Sequence, residues 1–205
     1  MQIKGETIFN LKSMLVKEQV GFLKISRAYD IFDPDTQAKI AVAKEETNIA
    51  LKLLKLFVNK AMLPTTVNVY QADSAAEGEK GELQFSLKRG FALLRPKLKI
   101  SNAQGEFLGY LQPKMFSIGG AFKVFSPDDV EVARVKGDWK GWNFKFLVGE
   151  QEVGLVTKKW AGVGKELFTS ADTYMIDIHG EVNAANTILL LSAGLCIDLV
   201  LKSSK

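Results

Sequence analysis

AANTILLLSAGLCIDLVL, residues 184–201, is the stretch whose reading decides the fold. From Ile188 to Leu201 only Ser192, Gly194 and Asp198 interrupt an apolar run. Wound as a helix, the polar positions Asn186, Thr187, Ser192 and Asp198 scatter around the axis instead of forming a stripe. A helix that is apolar all round is buried, in protein or in lipid. Spanning about 30 Å of hydrocarbon takes roughly 20 apolar residues, more than this run supplies. A carboxylate at the centre of a helix in lipid adds a cost of about 2.5–3.5 kcal/mol. Both considerations favour a core helix over residues 184–201, and the rest of the chain reads as its container.

The chain has 205 residues, 47% of them hydrophobic, enough to bury a large core in one all-β domain or two small ones. Few prolines, an average charged fraction and no polar tract argue against disorder. A formal charge of +4 and a pI near 9.0 suit an anionic partner without demanding one. The single cysteine, Cys196, lies in the apolar run and reads as a small core residue, so no disulfide framework is expected and a reducing compartment fits. MQIKGETIFNLK, residues 1–12, carries charge without an apolar segment behind it, so no secretory signal is expected and a cytoplasmic location is the default.

Strands dominate the reading. Ile8 to Val16 and Phe22 to Ser26 are loosely patterned strands, while Tyr29 to Asp33 and Lys39 to Lys44 flank Asp-Pro-Asp turn chemistry and form a hairpin. Val67 to Tyr70 alternates as a short strand, and Gln71 to Gly81 reads as a surface loop without a site. Between Glu82 and Ile178 one pattern repeats. Leu98-Lys99-Ile100, Phe122-Lys123-Val124 and Phe144-Lys145-Phe146 each lead through a polar turn into a Glu-apolar strand. Alternate residues of a strand face opposite sides, so each lysine points to water and its neighbours point inward. Hairpins with one consistent inner face predict a meander closing into a barrel or folding into a sandwich, with the 184–201 helix covering that face.

Thr47 to Met62 changes period: Asn48, Lys52, Lys55 and Asn59 make one narrow polar stripe on an otherwise apolar helix stopped by Pro64. It could lie on a membrane through its broad apolar face, or pack on the sheet with its lysines solvated. One domain over 1–205, with a helical insertion at about 46–63, is the expected organisation.

Catalytic chemistry finds few parts. A lone His179 and a lone Cys196 exclude a zinc set, a Cys-His pair and a Ser-His-Asp triad, and no phosphate-binding glycine motif is present; Gly119-Gly120 and Gly162-Val-Gly164 read as turn glycines. No enzyme and no cofactor are expected. The densest basic cluster is Lys88, Arg89, Arg95, Lys97 and Lys99, interleaved with Phe91, Leu93, Leu94 and Leu98. Its odd-numbered members, on one strand face, would meet phosphate by charge-assisted hydrogen bonds; a solvated strand face is the plainer reading. Without an aromatic stacking pattern, nucleic acid ranks below lipid as the partner.

On four segments the sequence resembles the bacterial branch of the phospholipid scramblase family, grouped with tubby and the LURP-one-related proteins. They are Tyr29 to Glu45 (YDIFDPDTQAKIAVAKE), Phe85 to Met115, Trp139 to Phe144, and above all Val153 to Ile178 (VGLVTKKWAGVGKELFTSADTYMIDI). The resemblance implies a closed tubby-like β-barrel of about a dozen antiparallel strands around a central apolar C-terminal helix. It implies phosphoinositide headgroup binding through surface Lys and Arg, as in tubby-like relatives, or calcium-dependent phospholipid movement, as in scramblases. The calcium segment of scramblases aligns with Ser170 to Glu181. Asp172 matches, Glu181 stands where a carboxylate is expected, and Ser170 replaces an acidic residue. Two carboxylates fall short of the six to eight oxygens calcium takes, so Asp172 and Glu181 are weak calcium candidates.

The leading expectation is a non-enzymatic module that binds anionic phospholipid or a membrane-associated partner peripherally. Two rivals are a protein-interaction scaffold presenting the 47–62 helix and a scramblase with a membrane-inserted C-terminal helix. Inside a barrel Asp198 must reach a hydrogen-bond partner or the mouth. Asp198→Leu is then tolerated unless it leaves a partner unsatisfied.

Overall fold

A computed structural model describes residues 7–19, 26–46, 63–72, 81–91, 97–113, 121–138, 142–158, 173–181 and 183–203. A single 3-10 turn, Ile8–Asn10, precedes twelve described strands. They are β1 (Ser13–Glu18), β2 (Ala28–Phe32), β3 (Lys39–Glu46), β4 (Thr65–Gln71), β5 (Leu83–Arg89), β6 (Leu98–Asn102), β7 (Phe107–Pro113), β8 (Ala121–Phe125), β9 (Glu131–Asp138), β10 (Asn143–Val148), β11 (Gln151–Thr157) and β12 (Thr173–Ile178). Each pairs antiparallel with its sequence neighbours, and β1 closes on β12 with Met14 opposite Ile176 and Val16 opposite Tyr174. The result is a closed up-and-down barrel, which removes every unpaired edge. The expected repeats are the β6–β7, β8–β9 and β10–β11 hairpins: Lys99 and Lys145 are exposed, Lys123 is half-buried, and their flanking Leu, Ile, Phe and Val are buried. The Ile8 to Val16 strand needs correction. Its first part is the 3-10 turn, with Ile8 buried in the core, and extended pairing starts only at Ser13. The expected 47–62 helix lies outside the described residues, as do most of the 22–26 strand and positions 73–80 of the expected loop.

Successive strands run in opposite directions, so the connections fall into two sets. At one end β2–β3, β4–β5, β6–β7, β8–β9 and β10–β11 are joined, and α1 (Ala184–Ser203) enters after β12. At the other end β1–β2, β3–β4, β5–β6, β7–β8, β9–β10 and β11–β12 are joined, and α1 finishes. Every hairpin of the first set carries a register shift, at Ile31/Phe32, Val69/Tyr70, Ile100/Ser101, Val124/Phe125 and Phe146/Leu147. No pair of the second set shows one. A bulge bends its strand and sharpens the local twist, so the barrel is coiled systematically from the end where the helix enters.

Eight strands enclose a space that side chains can fill, whereas twelve leave a wider lumen. A helix about 10 Å across fills it. From Leu190 to Leu199 every residue of α1 is buried. Leu190 lies on Gly154 of β11, Gly194 meets Ile176 and Tyr174 of β12, and Leu199 closes a small cavity with Thr65, Val67, Leu87, Arg89 and Leu98 of β4, β5 and β6. Contacts to strands around the wall explain why no polar stripe survives in the sequence of α1. Asp198 meets its expected partner: the buried Tyr29 hydroxyl of β2 donates to its Oδ2 at 2.7 Å.

Close approach of helix to wall also dictates residue size. A Cβ added at Gly154 would come within 2.2 Å of Leu190 Cδ2 and 2.8 Å of the Asp177 carbonyl oxygen. The backbone oxygen cannot step aside as a leucine methyl can. Gly154→Ala is therefore expected to cost about 1–2 kcal/mol through overpacking, seen as a lower urea midpoint at unchanged slope. An unchanged midpoint would mean that helix and wall are looser than their contacts indicate.

Candidate functional site

The cationic cluster is built on β5 and β6, and alternation decides which of its members reach solvent. Phe85, Leu87 and Arg89 share the inner face of β5 and are buried. Arg89 is thus a correction to the single-face stripe. It sits 8% exposed at the barrel mouth, its Nη2 donating to the Leu63 carbonyl and to Thr65 Oγ1, both at 3.1 Å. Burial pulls its pKa down from the ordinary guanidinium range. Reading the alternation outward from Phe85 and Leu87 was the signal that places Arg89 inside. Arg27 joins it near the end of α1, Nη1 donating to the Leu199 carbonyl at 3.3 Å, where a cation meets the negative end of the helix dipole. Arg95 lies outside the described residues.

Lys88 points the other way. It stands directly opposite Lys99 in the β5–β6 register, and both are exposed on the outer wall. The same row continues to Thr66 on one side and through Tyr110 to Phe125 on the other. Tyr110 and Phe125 stack with ring centroids 4.8 Å apart, and Lys97 Nζ sits 4.0 Å from the Tyr110 centroid. The Tyr110 hydroxyl donates to Asp129 Oδ1 at 2.8 Å, and Lys97 Nζ lies 3.8 Å from the same oxygen. The Tyr110 hydroxyl, then the Asp129 charge, hold the Lys97 pKa above its ordinary value.

Two wall lysines are neutralised inside their own hairpins, whereas the exposed Lys136, opposite Lys145 in the β9–β10 register, has no carboxylate partner among the described residues. Lys123 and Arg134 clamp Glu131, drawing that carboxyl down to about 2, the Lys123 hydrogen bond being the larger cause. Lys145 bonds Glu152 at 2.7 Å. Lys88 and Lys99 have no carboxylate partner among the described residues, and like charges directly opposite across two strands repel. An anion bound between them relieves that repulsion.

Glu181 is exposed beyond the end of β12 where α1 enters, and its carbonyl accepts from Asn186 Nδ2 at 2.8 Å. Asp172 lies outside the described residues. Its neighbour Thr173 opens β12 at the opposite end, and six strand residues span roughly 20 Å. Glu181 therefore shares no coordination sphere with the Thr173 end. Among the described residues no three His, Cys, Asp or Glu side chains gather to hold a metal.

A family model described as Scramblase matches residues 80–203, well over half of the chain, taking in β5 to β12 and α1. The chain belongs to the scramblase family. No curated protein and no solved structure matches it. The scramblase match covers the Lys88–Lys99 row and the whole of the helix. Among the described residues of this scramblase-family barrel, no helix is long and apolar enough to cross a membrane.

Proposed function

We propose that this scramblase-family protein is a non-enzymatic module that binds anionic phospholipid headgroups peripherally, from the cytoplasmic side. The observation that carries the reading is the exposed Lys88–Lys99 pair, held in register with no carboxylate partner among the described residues, whereas Lys123 and Lys145 are each paired with a glutamate. Two ammonium groups on adjacent strands, beside the Thr66 hydroxyl, offer a phosphate several charge-assisted donors. A membrane-inserted helix fits less well, since moving α1 into lipid would empty the barrel and break the Tyr29–Asp198 bond.

Sedimentation with vesicles tests the reading. The protein is expected to pellet with anionic vesicles, to stay in solution with neutral ones, and to dissociate as salt rises. Each lysine near such a surface contributes about 1 kcal/mol, so Lys88→Ala/Lys99→Ala should weaken binding roughly 25-fold while leaving the melting transition in place. Equal pelleting with neutral and anionic vesicles would sink the proposal.

A further inference from the structure

Between β1 and the β2–β3 turn the outer wall holds a cavity of about 120 Å³, lined among the described residues by Leu15, Lys17, Phe32, Asp33 and Gln37. Strand alternation builds it. Met14 and Val16 belong to the core, so Leu15 and Lys17 of β1 face outward, and Leu15 stands opposite Phe32 of β2. Leu15 is 5% exposed and Phe32 is half-buried, which gives the cavity an apolar floor.

Two opposite charges flank that floor. Lys17 is exposed and lies two residues from Leu15 along β1, roughly 7 Å away. Asp33 directly follows Phe32 and is 4% exposed. Among the described residues no ion pair joins the two. Asp30, opposite Lys17 in the β1–β2 register, is already engaged by Lys39 at 3.6 Å and by Gln19 Nε2 at 2.9 Å. Asp33 caps its own turn, Oδ1 accepting from the Asp35 amide at 2.9 Å and Oδ2 from the Thr36 hydroxyl at 2.7 Å. A carboxylate has about four acceptor sites, so these two bonds leave it able to accept from a further donor. Gln37, held in the left-handed region (φ 58°), adds an exposed amide side chain that both donates and accepts.

Those walls decide what fits. A plain anion drawn to Lys17 would bring its charge beside Asp33, and a plain cation drawn to Asp33 would meet Lys17. An apolar molecule would take water from both charges and replace none of its hydrogen bonds. A zwitterion suits both, its ammonium donating to Asp33, its anionic group accepting from Lys17, and a short carbon link lying on Leu15 and Phe32. A water takes up about 30 Å³ of liquid, so the cavity holds the equivalent of roughly four waters. That volume suits a two-carbon link and is too small for an acyl chain.

We infer that this cavity binds a small zwitterion, a primary ammonium and an anionic group on a two-carbon link, the chemistry shared by free phosphoethanolamine and an aminophospholipid headgroup. The site is three strands away from the Lys88–Lys99 row and does not depend on the reading of that row.

Backbone amide NMR of the full chain with soluble phosphoethanolamine tests the inference. The amide signals of Leu15, Phe32 and Gln37 are expected to shift saturably, with affinity about tenfold above that for inorganic phosphate or for phosphocholine, whose quaternary nitrogen has no N–H to donate. Lys17→Gln should weaken binding about tenfold and Lys17→Arg should retain it. Asp33→Asn should bring the affinities for phosphoethanolamine and phosphate together; because Asp33 also caps the turn, the Lys17 variants and the ligand series decide the matter if that variant does not fold. Lys88→Ala/Lys99→Ala should bind phosphoethanolamine as the native protein does, which separates a failure here from a failure of the proposed function. Phosphatidylcholine bicelles with and without phosphatidylethanolamine identify the source. Shifts with the lipid-borne headgroup as well as the soluble compound make it a lipid site, shifts with the soluble compound alone make it a site for a free ligand, and either result supports the inference. No saturable shift with soluble phosphoethanolamine, or equal affinity for phosphate or phosphocholine, would overturn it.

Discussion

Tyr29→Phe is expected to destabilise the barrel by about 3 kcal/mol, read as a lower urea midpoint with an unchanged slope. The Tyr29 hydroxyl is fully buried and donates to Asp198 Oδ2 at 2.7 Å, and Asp198 itself is 1% exposed. Removing the donor takes one hydrogen bond from a buried carboxyl group, and an under-satisfied buried polar group is costly. Asp198→Leu alone is expected to cost about 1–3 kcal/mol, because the tyrosine hydroxyl then has no acceptor in an apolar lumen. Replacing both partners removes the desolvation problem along with the bond. Tyr29→Phe/Asp198→Leu should therefore recover to within about 1 kcal/mol of the native protein, giving a favourable coupling of roughly 2 kcal/mol or more in a double-mutant cycle. Strictly additive losses would mean that this pair does not act as a unit. The same experiment bears on the membrane question, since a helix that left the barrel would not depend on Tyr29.

Why such a pair exists is a matter of register. Tyr29 hydrogen-bonds the last turns of α1, near the mouth where Arg27 reaches the Leu199 carbonyl and Arg89 ties β5 to Leu63 and Thr65. A uniformly apolar helix in a uniformly apolar lumen could slide or rotate at little cost. One polar partnership with strict geometry penalises every other placement.

The helix and the hairpins were legible in the sequence because each has a period that survives without tertiary context. Leu98-Lys99-Ile100 and Phe144-Lys145-Phe146 are strands by alternation, and residues 184–201 are a buried helix because no face is polar. Closure was not readable from period alone: a meander of the same strands could fold as a sandwich, and barrel geometry entered through family resemblance. The cationic cluster was half readable. Strand parity separates Lys88 from Arg89, yet composition groups them, and a basic residue is presumed to be outside. Lys123 and Lys145 look equivalent to Lys99 in sequence, and only cross-strand pairing shows which lysines are neutralised.

Alkaline pH should unfold the barrel through its own interior. Burial pushes the Cys196 thiol up to about 12, and it pushes the Tyr29 and Tyr174 hydroxyls well above their ordinary range, with the Asp198 charge adding to the rise in both. Each group is neutral when protonated, so a raised folded-state pKa means the native protein keeps a proton that the unfolded chain releases. The stability linked to the thiol is complete below its unfolded value of about 8.5 and is lost as pH climbs towards 12. The loss is about 1.4 kcal/mol per pH unit, close to 3 kcal/mol by pH 10.5, and the two tyrosines steepen it above about 10. Urea midpoints measured from pH 7.5 to 11 should fall accordingly, with the slope above pH 8.5 shallower in Cys196→Ala even though that variant starts lower from its small cavity. Tyr174→Phe separates the tyrosine contribution. The buried Tyr174 hydroxyl has no hydrogen-bond partner among the described residues, so its removal should leave stability at pH 7.5 unchanged or higher and flatten the decline only above about pH 10. Midpoints that hold level through pH 10.5 in the native protein would contradict a sealed lumen, because a solvated thiol at the centre of α1 would ionise alike in the folded and unfolded chains.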